Sequence, residues 1–228
     1  MSRSATAMSV ALGVDATGGL TIPATEITGR VLPVRGELAD LLPWGGLRRG
    51  STVSVRGSTS LLLALLSTAT AEGCWAAVVG LPSLGVLAAA ELGVAVRRLA
   101  LVPEPGTDPV VVERTVAALL DGIDLVSVAV PVTPHTARRL SARARQRKAV
   151  LVPFGAWPGA DVELRVGEGR WSGLGAGHGV LAEREVVVHA GGRGAASRPV
   201  RAGFLLPAPG GGVGPSRPVV RPVVAVAG

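Results

Sequence analysis

The chain has 228 residues, enough for one α/β domain with its own hydrophobic core and a smaller appendage. Its formal net charge of +7 weakly favours a polyanionic partner, and its single cysteine excludes an internal disulfide. Because the sequence shows no signal peptide and no uninterrupted apolar span, we expect a cytoplasmic protein with no membrane partner.

Strand and helix patterns alternate through the middle of the chain. Residues 1–29 are small, polar and aperiodic, which predicts a flexible lead-in, and residues 31–42 include a short helix. The next predicted elements are strand 52–55, helix 60–72, strand 75–79, helix 84–92, strand 98–102, helix 109–120, strand 125–130, helix 136–148 and strand 149–153. Such repetition predicts an α/β fold with a doubly wound, mainly parallel sheet.

The pattern of residue types changes after about residue 158. Val162, Leu164 and Val166 alternate with charged residues, and residues 186–189 form another apolar run, which predicts a late antiparallel β segment. From residue 208 the chain is rich in Gly, Pro and Val, and we expect a disordered tail over 208–228. The predicted organisation is a lead-in over 1–29, a core over 30–207 and this tail.

The segment from Gly46 to Leu66 has the layout of a nucleotide-binding phosphate loop, with a short strand, a glycine, small polar residues and an apolar helix. A working loop places a second glycine, a lysine and a Ser or Thr about five to seven residues after the first glycine. Counted without gaps from Gly57, these positions are Leu62, Leu63 and Ala64. The degenerate loop that remains consists of Gly57, Ser58, Thr59 and Ser60. Its backbone N–H groups are expected to bind a nucleotide or other anion weakly at most.

Two groups of cations are candidate contacts for nucleic acid or for an acidic partner. The first lies on the predicted helix 136–148, which has no acid, and consists of Arg138, Arg139, Arg143, Arg145, Arg147 and Lys148. The second lies among glycines and consists of Arg193, Arg198 and Arg201. Cations without a partner repel one another, so an anionic ligand would stabilise them. An ordinary solvated helix face and a mobile loop are the alternatives.

No constellation in the sequence indicates catalysis or metal binding. The three histidines lack the spacing of metal ligands, and no second cysteine supports a zinc site. The serines after Gly57 have no nearby base, and no nucleophile-elbow motif occurs. We therefore expect a protein that is not an enzyme, with no metal and no cofactor.

The order of the segments resembles the RecA-like ATPase core and, more closely, the actinobacterial ImuA-type mutasome proteins. Four segments are similar, in order, to the RecA entry strand, the next strand, the Walker B strand and the closing β segment: LLPWGGLRRGSTVSVRG, AEGCWAAVVGLPS, GIDLVSVAVP and REVVVHAGGRGAASRPVRAGFLLP. The resemblance spans roughly residues 36–207. It places the water-activating acid near Pro82 and the Walker B aspartate at Ala129, so phosphoryl transfer would lack its lysine and both acids.

The resemblance implies a non-catalytic RecA-like accessory subunit of an error-prone translesion synthesis complex, acting in DNA damage tolerance and induced mutagenesis. Its implied partners are an ImuB-type hub and, through the hub, an error-prone C-family DNA polymerase, with RecA and DNA as further candidates. The implied location is the cytoplasm, with nucleoid association during DNA damage. A divergent RecA/RadA-type ATPase and a SulA-like inhibitor of cell division are the alternatives.

Overall fold

The structure is a computed structural model that describes residues 30–175 and 178–216, together with two short strands at Gly13–Val14 and Leu20–Thr21. Apart from those strands, the predicted lead-in over 1–29 lies outside the described residues. The strands are β1 (Gly13–Val14), β2 (Leu20–Thr21), β3 (Val31–Leu32), β4 (Leu47–Arg48), β5 (Val53–Arg56), β6 (Ala76–Val79), β7 (Leu99–Val102), β8 (Leu125–Val128), β9 (Val150–Pro153), β10 (Val162–Gly175), β11 (His178–Gly192), β12 (Val200–Leu205) and β13 (Gly214–Pro215). The helices are α1 (Gly36–Ala39), α2 (Thr59–Ala71), α3 (Val86–Glu91), α4 (Pro109–Gly122) and α5 (Pro134–Arg147).

The three long helices begin at residues that satisfy their free N–H groups. Ser58 caps α2 by accepting a hydrogen bond from the backbone of Leu61 at 3.2 Å. Asp108 caps α4 and Thr133 caps α5, and in both helices the next residue is a proline. Proline is favoured at the first helical position because it has no N–H to satisfy there. These local signals explain why the predicted helix starts lie within two residues of the observed ones.

Strands β7, β6, β8 and β9 form a four-stranded parallel sheet in that order. Strand β5 runs parallel to β9, joined to it by the bridges Thr52↔Leu151 and Val55↔Phe154. On its other side β5 pairs in parallel with β10, which β11, β12 and β13 then follow in antiparallel order. The strand that leads to the predicted phosphate loop therefore lies between the parallel sheet and the antiparallel closing segment.

Helices cover both faces of the parallel sheet. One hydrophobic cluster contains the α2 leucines with Val78, Leu125 and Val150 from the strands. The other contains Leu120 of α4 and Leu140 of α5, together with alternate strand residues such as Val126 and Leu151. Since successive strand residues point to opposite faces, strands buried on both sides read as continuous apolar runs. The α/β class, the parallel sheet and the late antiparallel strands are confirmed.

The closing segment differs from its prediction at its end. Strands β10 and β11 form the predicted antiparallel pair, a hairpin that joins the main sheet through β5. The predicted tail begins at 208, yet β13 pairs with Phe204 and Leu205, and Val213 is buried. Apolar side chains at 208 and 213 keep this stretch in the fold to residue 216; the rest of the predicted tail lies outside the described residues.

Within the described part of the chain, no helix is both long enough and apolar enough to cross a bilayer.

Candidate functional site

The turn between β5 and α2 occupies the place of a phosphate loop, at the carboxyl edge of the sheet. In open α/β sheets, ligands bind outside the carboxyl ends of the strands. Only Gly57 and Ser58 separate the strand from the helix. Gly57 has φ +85°, and a Cβ there would lie 2.9 Å from the carbonyl oxygen of Val166, so only glycine fits this close approach. Thr59 and Ser60, predicted as part of the loop, instead form the first turn of α2.

The positions that the ungapped count assigns to glycine, lysine and hydroxyl lie inside α2. Leu62, Leu63 and Ala64 are almost completely buried in the core beneath the sheet. A phosphate loop needs several glycine-rich residues between strand and helix so that backbone N–H groups can surround the phosphates. A two-residue turn is too short for that geometry, so the loop itself is missing as well as its lysine.

The two positions aligned with catalytic acids also lie at the carboxyl edge. Pro82 is exposed in the turn after β6, and Ala129 follows β8 and donates its N–H to Val79 O at 2.8 Å. Neither side chain can ionise, coordinate a metal or accept a proton. The structure thus brings Pro82 and Ala129 to one edge of the sheet, and neither has the carboxylate that phosphoryl transfer requires.

The basic helix α5 has acidic partners on its neighbour α4, so the prediction of six unpartnered cations is wrong. Arg143 makes two hydrogen bonds to Asp121, at 2.9 and 2.6 Å, and Arg147 binds the same carboxylate at 3.0 Å. Arg139 pairs with Glu113 at 3.1 Å. The hydrogen bond from Arg143 lowers the pKa of the Asp121 carboxyl below its ordinary value, with Arg147 adding to the effect. These three arginines join α5 to α4.

A cleft of about 360 Å³ lies at the opposite, amino edge of the sheet. We call it the arginine cleft, after the side chains that line it: Arg48, Arg49, Arg145 and Arg193, with Trp44 and Asp161. Arg145 comes from the last turn of α5, Arg193 follows β11, and the other two arginines precede β5. Arg145 and Arg193 were predicted from the sequence as binding residues, whereas Trp44, Arg48 and Arg49 were not. The adjacent arginines 48 and 49, followed by Gly50, were the available signal.

The cleft is built from close backbone contacts at the starts of the strands. Gly50 has φ +81°, and a Cβ there would lie 3.2 Å from the Cα of Arg145. Asp161 accepts a hydrogen bond from the backbone of Thr52 at 2.9 Å and lies 3.6 Å from the guanidinium of Arg193. Arg193 also donates to the carbonyls of Gly159 and Ala160. The wall of the cleft is therefore held by hydrogen bonds between three strand ends.

The arginines of the cleft differ in how they are neutralised. Arg49 pairs with Asp124 at 2.9 Å, and Arg193 with Asp161. Arg48 lies over the ring of Trp44, 5.3 Å from its centroid. Among the residues that the structure describes, no carboxylate pairs with Arg48 or Arg145. Their charge is available to an anion.

The remaining predicted cations do not line this cleft. Arg138 is in the second turn of α5, two turns before Arg145, and donates to Pro134 O. Arg198 lies beside Asp40 in a smaller cavity of about 180 Å³. Arg201 is exposed on β12, opposite His189. Lys148 ends α5 with φ +57° and lies at the amino edge. The prediction therefore combined residues from several separate surfaces.

The described residues contain no group of three or more His, Cys, Asp or Glu side chains arranged to hold a metal. Burial raises the pKa of the Cys74 thiol, and Asp124 adds to this, so the thiol stays protonated at neutral pH.

This is an α/β protein with an altered strand-to-helix turn at one edge of its sheet and a basic cleft at the other. The family described as the MT3502 N-terminal domain matches residues 40–159, more than half of the chain, and the chain belongs to this family. It is 44% identical over 131 residues to the uncharacterized protein Rv3395c of Mycobacterium tuberculosis. That match covers 55% of the present chain and 63% of the relative, so the chain spans less than two thirds of that protein.

Proposed function

We propose that this protein is a non-catalytic, RecA-like accessory subunit of an error-prone translesion synthesis complex of the ImuA type. The observation that carries the proposal is the two-residue turn between β5 and α2, with leucines where a phosphate loop has its glycine and lysine. A core that keeps the strand, the turn and the helix but lacks the groups for phosphoryl transfer serves better as a scaffold than as an ATPase.

The arrangement of the strands supports the RecA-like assignment. The segments matched to the RecA entry strand, the next strand and the Walker B strand are β5, β6 and β8, all parallel and all covered by helices. The closing segment extends the same sheet through β10, β11 and β12. The relative from Mycobacterium tuberculosis fits the actinobacterial branch named on sequence grounds.

An accessory subunit needs a surface on which its partner docks, and the edge strand β7 supplies a candidate. Large apolar side chains are exposed on this strand and on the segments that precede and follow it in the chain: Val86, Leu87, Val96, Leu101, Val110 and Val111. Leu87 is 74% exposed. An unpaired strand edge bordered by apolar side chains is a favourable surface for a partner protein. We assign this surface to the ImuB-type hub, which links the protein to a C-family polymerase.

Capture of the purified protein by an immobilised ImuB-type hub tests the proposal. We expect capture without nucleotide, and a loss of at least about tenfold for Leu87→Glu because the charge would enter an apolar interface. Val200→Glu, on the distant strand β12, is the matched control and should be captured normally. No capture of the wild type would refute the mutasome assignment and favour the division inhibitor, and ATP hydrolysis by the protein would favour the divergent ATPase.

A further inference from the structure

The amino edge of the sheet carries more than the arginine cleft. Trp75 and Arg98 precede β6 and β7, and the Arg98 guanidinium lies 5.3 Å from the Trp75 ring centroid. Trp44 and Arg48 repeat this arrangement beside β5. The two tryptophan–arginine pairs thus lie at the same edge, with Lys148 and Arg145 between them in the order of the strands.

Together these residues form a basic row along the amino edge, which we define as Arg98, Lys148, Arg145, Arg48, Arg49 and Arg193 with Trp75 and Trp44. Neighbouring strands lie about 4.8 Å apart, so the row extends over about 29 Å from β7 to β11. Among the described residues, the carboxylates of Glu72, Asp124 and Asp161 stand just before β6, β8 and β10 at this edge. Arg49 and Arg193 hold the last two. Six cations facing three carboxylates leave this edge positive.

We propose that the basic row binds single-stranded nucleic acid, with phosphates at Arg48 and Arg145 and bases against Trp44 and Trp75. Proteins that bind single strands combine a positively charged groove with aromatic rings on which bases stack. Arginine suits phosphate because its planar guanidinium donates two parallel hydrogen bonds. Trp75 is 42% exposed, and Trp44 is half-buried against the hydrophobic core with Arg48 over its ring but still lines the cleft.

The shape of the cleft favours a single strand over a duplex. Its volume of about 360 Å³ is that of a pocket for one small ligand. A duplex presents stacked bases and a rigid backbone, so its phosphates would reach the rim but its bases would not reach the rings. A single strand can place a phosphate in the cleft and turn a base onto Trp44.

This inference rests on the proposed function, since DNA is the polyanion that a translesion subunit encounters. The test is the fluorescence anisotropy of a labelled oligodeoxythymidine, titrated with the full chain at several salt concentrations. We expect Arg48→Gln/Arg145→Gln to weaken binding by at least about tenfold. The slope of log K against log salt should fall by about 1.4, because each phosphate contact to a single strand contributes about 0.7.

The matched control is Arg138→Gln/Arg201→Gln, which removes the same charge from exposed arginines outside the row. It should retain wild-type affinity. Trp44→Leu should lose about tenfold in affinity with an unchanged salt slope, because stacking involves no counterion. In the unmodified protein, photocrosslinking of an iododeoxyuridine oligonucleotide should label Trp44 or Trp75.

Three results would overturn the inference: equal loss in the cleft variant and its control, tighter binding of duplex than of single strand, or crosslinks only outside the row. Equally tight binding of polyglutamate, with the same dependence on Arg48 and Arg145, would assign the row to an acidic protein instead. Hub capture of the cleft variant separates this inference from the proposed function. If the cleft variant is still captured by the hub and also binds DNA as the wild type does, the inference fails while the proposed function stands.

Discussion

The carboxyl and amino edges of the sheet differ in the side chains that they present. At the carboxyl edge, where α/β proteins usually bind ligands, the chain has a two-residue turn, a proline and an alanine. At the amino edge it has the arginine cleft, in which two guanidinium groups lack a carboxylate partner among the described residues. The carboxyl edge, where the fold predicts a ligand, has no ionisable side chain at these positions. The amino edge has several arginines. On the assignment proposed above, the position of the carboxyl edge in the fold does not indicate where this protein binds.

The largest expected effect comes from putting a lysine back at the position given by the ungapped count. Leu63→Lys should lower the free energy of unfolding by at least about 4 kcal/mol, because it buries a charge and loses apolar packing. Leu63→Met, the volume-matched control, should cost less than about 1.5 kcal/mol. Urea unfolding measures both. A stable Leu63→Lys protein that hydrolyses ATP would show that the carboxyl edge still holds a site.

The second prediction concerns Gly50, which brings the chain close to Arg145 at the amino edge. Gly50→Ala should cost about 1–3 kcal/mol and weaken DNA binding, because the new Cβ strains the backbone and displaces the end of α5. Gly106→Ala also has a positive φ but meets nothing within 4 Å, so it controls for strain alone. Thermal unfolding and oligonucleotide anisotropy give the two readouts. Unchanged DNA binding by Gly50→Ala would mean that the arginine cleft is not where DNA binds.

A smaller effect is expected at the carboxyl-edge turn. Ser58→Ala should lower the free energy of unfolding by about 1 kcal/mol, the usual cost of losing a helix cap. Ser60→Ala, two residues further along the helix and half-buried, should change it by less than about 0.5 kcal/mol. Added ATP or inorganic phosphate should raise the melting temperature of wild type and variants only slightly. If ATP or phosphate strongly raised the melting temperature of the wild type but not of Ser58→Ala, this turn would be an anion site after all.

The smallest effect distinguishes paired arginines from the free ones in the cleft. The folded-state pKa of Asp121 is lowered, so its pairing with Arg143 and Arg147 stabilises the protein above the ordinary carboxyl value of 3.8. That contribution is lost as the pH falls below this value through the lower folded pKa. Asp121→Asn should therefore be slightly less stable at neutral pH and match the wild type in strong acid. Arg138→Gln, which leaves the pair intact, should follow the wild-type pH curve.

Much of the fold could be predicted because its signals are local. Apolar runs marked the strands, and Pro109 marked the start of α4, whereas α5 begins at Pro134, two residues before its predicted start. The parallel pairing of β5 with β10 could not be predicted, since it joins residues more than a hundred positions apart, such as Arg56 and Glu163. The folded end at Val213 was missed because a stretch rich in Gly and Pro gives no periodicity.

The candidate site was predicted less well, because charge pairing depends on which helices are neighbours. Helix α5 has no acid of its own, so its arginines looked unpartnered until α4 placed Asp121 against Arg143 and Arg147. The cleft combines Trp44, Arg145 and Arg193 from segments far apart in sequence. The individual residues were visible in the sequence, but their meeting at the amino edge depends on the order of the strands.

A docking scaffold without nucleotide chemistry should bind its partner equally well with and without ATP. We would measure the affinity for the ImuB-type hub with no nucleotide, with ATP and magnesium, and with a non-hydrolysable ATP analogue. We expect the same affinity in all three conditions and no release of phosphate. Hub binding that requires ATP, or phosphate release that stops when the hub is removed, would contradict the proposed scaffold role.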